Sequence, residues 1–104
     1  MANVVIKRDG RIDDVDCRKT LSKVRRDTVT FIAAGEGPWT IYFPPDTVPG
    51  YRGSPFTRDT YNVTVGNPVT TSDASGGVAG LTYKYQVKNA ANEVKDDPDI
   101  LIDD

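Results

Sequence analysis

Asp96-Asp97-Pro98-Asp99 sets three carboxylates within one short stretch. Carboxylate oxygens are the ligands calcium prefers. The spacing completes no calcium-loop motif, however, and a solvated acidic turn uses the same residues. Arg25-Arg26-Asp27 places two guanidiniums beside a carboxylate. They face solvent or touch a phosphate, and no G-x-x-x-x-G-K-[ST] loop is present to cradle one. Cys17 is the only cysteine and the chain has no histidine. A thiol nucleophile without an imidazole lacks its usual activating base. The usual general base near neutral pH is also missing. The expectation is therefore a non-enzymatic chain with no cofactor and no metal. Trp39 is the only tryptophan. Its ring either packs inward or forms, with Tyr42 and Tyr51, a platform for a sugar or a peptide side chain. Phe56, near Tyr51, completes the candidate contact surface Trp39, Tyr42, Tyr51 and Phe56.

The elements that must position these groups alternate with period two, the mark of half-buried strands. Val4 and Ile6 share a face, and Asp9-Gly10 is a turn signal followed by Ile12. A hairpin of residues 3–8 with 11–16 is expected. Residues 17–26 admit two readings. Cys17, Leu21 and Val24 fit a helical turn, while a strand would hold Leu21 near its start and Val24 inside it. Thr28–Ile32 is rich in β-branched residues with Val29 and Phe31 on one side. Trp39, Ile41 and Phe43 align, as do Tyr61, Val63 and Val65. In 81–88, Leu81, Tyr83, Tyr85 and Val87 face one way and Thr82, Lys84, Gln86 and Lys88 the other. Ile100-Leu101-Ile102 makes a last strand, opened by Pro98. Short strands between Gly/Pro-rich turns indicate an all-β sandwich or barrel. Two connections are long. Residues 44–60 carry Tyr51 and Phe56 to dock them, whereas 66–80 are small and polar, lack such an anchor and are expected to be the more mobile.

The bulk numbers narrow the field. A length of 104 residues with 38 % hydrophobic content fits one domain, 1–104, with one core. A net charge of −2 gives no general basic field, so nucleic acid is not the expected partner. No stretch approaches the ~20 apolar residues that span a bilayer, so no membrane role is expected. MANVVIKRDG lacks the apolar stretch of about 7–15 residues that a secretion signal needs, so a cytoplasmic location is expected. Charge is uneven along the chain. Residues 1–26 hold eight basic and four acidic side chains, and residues 89–104 hold one basic and six acidic. Such a pattern gives two solvated faces, or a dipolar surface that orients a partner or a head-to-tail contact.

From residue 21 onward the order of motifs resembles the cupredoxins, the small blue-copper β-sandwiches. LSKVRRDTVTF is similar to their P-x-x-I-x-V strand running into G-D-x-V-x-F, with Arg26 in the glycine slot. WTIYF resembles H-x-V-x-F with Trp39 in the slot of the first histidine ligand, and YNVTV resembles Y-x-V-x-F. GLTYKYQVK resembles G-x-Y-x-Y-x-C with Val87 in the slot of the cysteine ligand. Ile100-Leu101-Ile102 resembles the closing strand. The resemblance implies a single-domain, Greek-key, cupredoxin-like β-sandwich of about seven strands, and it favours the strand reading near Leu21. It also implies that copper chemistry is gone. A blue-copper site needs two imidazoles and a thiolate, and the loop after Val87 supplies neither histidine nor methionine. Trp39 then plugs the space of the lost metal. The expected role is non-catalytic: a protein-interaction or assembly module, with protein or a second copy as partner. A small-ligand or carbohydrate module using Trp39 and nearby tyrosines is the alternative.

Overall fold

The computed structural model describes residues 2–45 and 49–104. Among them ten strands run in chain order: β1 (Ala2–Ile6), β2 (Arg18–Ser22), β3 (Val29–Ala33), β4 (Trp39–Tyr42), β5 (Thr60–Val63), β6 (Val69–Thr70), β7 (Thr82–Lys84), β8 (Gln86–Lys88), β9 (Val94–Asp96) and β10 (Asp99–Asp103). The protein is all-β, 42 % strand and 3 % helix. The strands form three sheets, ordered β1-β3-β6, β2-β10-β7 and β5-β4-β8-β9. Two pairings are parallel, β1 with β3 and β2 with β10. The Cα radius of gyration, 12.6 Å, is that of a folded domain of about 100 residues.

All three sheets bury one face of their alternation in a common core. Val4, Ile6, Val29 and Phe31 from the first sheet are fully buried, as are Ile41, Val63 and Val87 from the third and Ile100 and Ile102 from the second. Aromatic rings fill the middle. The Tyr85 ring meets Phe31 edge-on at 5.6 Å and Phe43 at 5.0 Å, and Phe56 meets Phe43 edge-on at 6.0 Å.

The strand count exceeds the expected seven for identifiable reasons. The alternation of 81–88 is continuous, yet the run is two strands. β7 pairs with β10, and β8 pairs with β4. Tyr85 is the corner between them, fully buried, with its N–H donating to Pro98 O at 3.1 Å. Side-chain alternation survives a change of pairing partner, so period two does not register the break. β6 and β9 are short strands inside stretches that read as loops.

Other boundaries also move. The 3–8/11–16 hairpin shrinks to a turn at Lys7–Gly10 and a single bridge, Ile6 with Ile12. Beyond it Asp13, Asp14 and Val15 have no apolar alternation to continue a strand, and Val15 is exposed. Residues 18–22 are a strand with Leu21 buried, but Val24 is 76 % exposed in the following turn. Asp27 closes that turn: the Ser22 N–H donates to its Oδ2 at 2.7 Å, and the Asp27 N–H donates to Ser22 O. β5 ends at Val63, which leaves Val65 exposed. The 66–80 connection is anchored, contrary to expectation. Ala74 is fully buried with its N–H bonded to Asp27 O, and Thr71 Oγ1 accepts the Val29 N–H at 3.1 Å. Residues 46–48 of the 44–60 connection lie outside the described residues; within the rest, Phe56 docks into the core.

Arg26 occupies the left-handed region, φ 55°. That conformation costs an L-residue about 1–2 kcal/mol and glycine almost nothing. Arg26→Gly is expected to stabilise the protein by about 0.5–1 kcal/mol after the added unfolded-chain entropy, a thermal midpoint raised by roughly 3–6 °C. Calorimetry or circular dichroism melting checks it; a lowered midpoint would refute the strain at this turn.

Candidate functional site

One end of the molecule gathers three loops around the start of β4. The first is the Lys7–Gly10 turn, held by Gly10 N–H to Lys7 O (2.9 Å), Lys7 N–H to Arg11 O (2.8 Å) and Arg11 N–H to Asp9 Oδ1 (3.0 Å). Gly10 is required there twice over. Its φ is +88°, and a Cβ would come within 2.8 Å of the Trp39 ring and 2.7 Å of Lys95 Cβ. The second is the 34–38 loop, where Glu36 is also left-handed at φ 57° and the Gly37–Pro38 peptide is cis. The third is the 89–93 loop, closed by Asn89 N–H to Glu93 O.

Trp39 lies beneath them. It is 5 % exposed, and its indole N–H donates to Gly35 O at 3.3 Å. The indole N–H and most of the ring are committed to the fold. Above it opens a depression of ≈ 470 Å³. Arg8, Asp9, Lys95 and residues 36–38 and 89–91 line it together with Trp39. An adjoining depression of ≈ 430 Å³ is lined by Lys7, Arg8, Asp9 and Ala34.

The four residues named from sequence do not converge. Trp39 and Phe56 are buried, while Tyr42 and Tyr51 are half-buried. Tyr42 sits at the opposite end of β4 from Trp39, with Lys88 Nζ 4.7 Å from its ring centroid. The Tyr51 hydroxyl donates to Asp97 Oδ2 at 3.3 Å. Arg8 and Glu36 lie on separate loops and Lys95 on β9, so no local pattern joins them. The available signals were local only, the Asp9-Gly10 turn and the Gly35-Glu36-Gly37-Pro38 loop between two apolar runs.

The acidic turn disperses its charge into separate protein partners. Asp96 Oδ2 accepts the Ile12 N–H at 2.9 Å, Asp97 meets Tyr51, and Asp99 takes a bidentate contact from Arg18 at 2.9 and 3.0 Å. The last contact joins the basic N-terminal segment to the acidic C-terminal one. Among the described residues no three His, Cys, Asp or Glu side chains gather as metal ligands. Cys17 is exposed, with its Sγ 3.1 Å from Asp14 O.

The Tyr85 hydroxyl is fully buried and has no hydrogen-bond partner among the described residues. Burial, and then the negative charges of Asp96, Asp16 and Asp99, push its pKa above the ordinary value of 10.0. Two other groups shift the opposite way. The Ser22 N–H holds the Asp27 carboxyl below its ordinary 3.8, and Ser75 does the same for Asp73. Comparison with protein-family models, with curated proteins and with solved structures gives no match.

These shifts contribute to the pH dependence of stability, and Tyr61, whose pKa is also raised by burial, acts on the alkaline side with Tyr85. The carboxylates contribute stability that is present above pH 3.8 and lost as pH falls through their lowered values. Tyr85 contributes stability that is present below pH 10.0 and lost as pH rises, because the unfolded phenol ionises first. Urea midpoints should therefore fall below about pH 4 and above about pH 10. Tyr85→Phe should reduce the alkaline limb and leave the part due to Tyr61. At neutral pH it should also raise stability, because an unsatisfied buried hydroxyl costs about 1–3 kcal/mol. A destabilised Tyr85→Phe with the alkaline limb unchanged would show that the hydroxyl is satisfied in solution.

Proposed function

We propose that this chain is a copper-free, cupredoxin-like β-sandwich that acts as a non-catalytic protein-interaction or assembly module, binding through the loop end around Trp39. The observation that carries the reading is the fate of the two ligand slots. Trp39, in the histidine slot, is 5 % exposed, and Val87, in the cysteine slot, is fully buried opposite Ile41. Packed apolar side chains stand where a metal centre would need imidazole and thiolate.

Two further observations support it. The motif resemblance aligns Arg26 with a glycine, and the backbone there is left-handed, the conformation that glycine serves. The strands that carry the motifs also bury the faces the motifs require: Phe31 on β3, Ile41 on β4, Tyr61 and Val63 on β5, and Val87 on β8. Strand addition at β1, β2 and β9, three of the six outer strands among the described residues, is disfavoured because those three are blunted. Asp16 Oδ2 accepts the Val5 N–H of β1 at 3.1 Å, and Asp27 binds both backbone groups of Ser22 on β2. The side of β9 is covered by Gly10, which packs on Lys95, and by the Ile12 N–H on Asp96. A partner strand would have to displace these contacts before it could pair.

Size-exclusion chromatography with light scattering, combined with affinity capture and cross-linking from the native source, tests the role. The expected result is a retained protein partner or a concentration-dependent rise in mass, cross-linked at the loop end. A strict monomer that retains nothing overturns the module reading. Submicromolar copper binding by calorimetry overturns the copper-free assignment.

A further inference from the structure

We propose that the two depressions astride Arg8 and Asp9 form one groove for an extended peptide segment of a partner protein, one carrying acidic side chains, an apolar side chain and a basic side chain. The inference rests on the interaction-module reading and names the chemistry of its partner. The two depressions, ≈ 470 and ≈ 430 Å³, share Arg8 and Asp9 as a common wall. One pocket of about 300–1,000 Å³ suits a compact small molecule. Two lobes divided by a shared ridge suit a chain that passes over it.

The charges on the wall decide the chemistry of that chain. Lys7, Arg8 and Glu36 make no ion pair among the described residues, and Lys95 reaches only Glu93, at 3.9 Å. Asp9 spends one carboxylate oxygen on the Arg11 N–H. Three cations, one of them shared with Glu93, thus stand among two carboxylates, Asp9 and Glu36. Acidic side chains on the ligand answer Lys7, Arg8 and Lys95, and one basic side chain answers Glu36. The alanines and Pro38 of the walls, with the Trp39 edge below, accept an apolar side chain. Carboxylates interleaved with the cations disfavour a polyanion such as nucleic acid.

The lip is also preorganised. The Arg8 stem packs against Gly35, where an added Cβ would lie 2.8 Å from Arg8 Cγ, and Gly10 locks its own turn against Trp39 and Lys95. Side chains on a lip already ordered lose less freedom on binding.

Titration of the 15N-labelled chain with synthetic octapeptides, followed by NMR, tests the proposal. One peptide mixes acidic, apolar and basic residues, one is neutral, and an oligothymidylate serves as the nucleic-acid probe. The mixed peptide should shift amides in 7–10, 34–39, 89–91 and Lys95. Arg8→Glu and Glu36→Lys should each weaken it by up to ~5-fold, as expected for exposed charge contacts. Both residues are exposed, and an unchanged spectrum elsewhere reports a retained fold. A peptide with the charges exchanged should recover affinity for the double variant. No shift with any peptide, shifts mapping elsewhere, equal binding of the neutral peptide, or stronger shifts with the oligonucleotide would each overturn the groove. A native partner that is retained but cross-links away from Arg8 and Glu36 also overturns the groove while leaving the module reading intact. A chain that retains no partner and stays monomeric removes both.

Discussion

A backbone N–H at the margin of a small sheet must find an acceptor or remain solvated, and leaving it buried without one costs about 1–3 kcal/mol. Three short sheets in a 104-residue chain create many such margins. Aspartates supply the missing acceptors. Asp16 takes the Val5 N–H on the outer side of β1, Asp27 takes the Ser22 N–H at the end of β2, and Asp96 takes the Ile12 N–H beside β9. A bond to a charged acceptor contributes about 1.5–3 kcal/mol, more than a neutral ladder bond. Asp16 is itself nearly buried at 7 % exposure, and Lys19 Nζ at 2.7 Å balances its charge. The carboxylates therefore do the work of absent neighbouring strands. The same contacts keep foreign strands from pairing there.

The second constraint is the corner at Tyr85. A sheet cannot continue indefinitely around a core this size, so a strand must change partners. Here the change falls on one residue whose ring is held by Phe31 and Phe43 and whose N–H reaches back to Pro98. The position is valuable for its ring and awkward for its hydroxyl. Edge-on and tilted aromatic contacts are worth about 0.5–1.5 kcal/mol each beyond their burial. Two of them offset a hydroxyl penalty of similar size. A tyrosine is thus tolerable at a site where phenylalanine would serve the packing alone.

These two features also explain what could be read from the chain. Alternation identifies inward faces, and Val4, Ile6, Val29, Phe31, Ile41, Phe43, Val63, Tyr83, Val87, Ile100 and Ile102 are all buried as the pattern requires. Pairing partners are another matter. Nothing in Tyr83-Lys84-Tyr85-Gln86 marks a change of sheet, because the side chains keep their period through it. Likewise Asp96 reaches Ile12 across 84 residues of sequence. From sequence it was one carboxylate in an acidic run, and only the fold separates it from Asp97 and Asp99. The groove was harder still, since Arg8 and Glu36 belong to separate loops, Lys95 belongs to β9, and none stands in a recognisable motif.

The loop end follows from the same economy. Trp39 must be covered, because a large ring at a strand start would otherwise lie open. Gly10 covers it by bringing backbone to within contact of the ring, and Lys95 lays its aliphatic stem against the same glycine while its ammonium stays outside. Arg8 packs over Gly35. Lys95 packs through its stem and Arg8 through stem and guanidinium together, and both bring their charges to the rim of a depression. Covering the tryptophan and presenting ordered charge are then one structural act. Removing the Arg8 side chain would disturb the cover, whereas Arg8→Glu keeps the Cγ contact on Gly35, gives up the guanidinium contact and reverses the charge beside the depression.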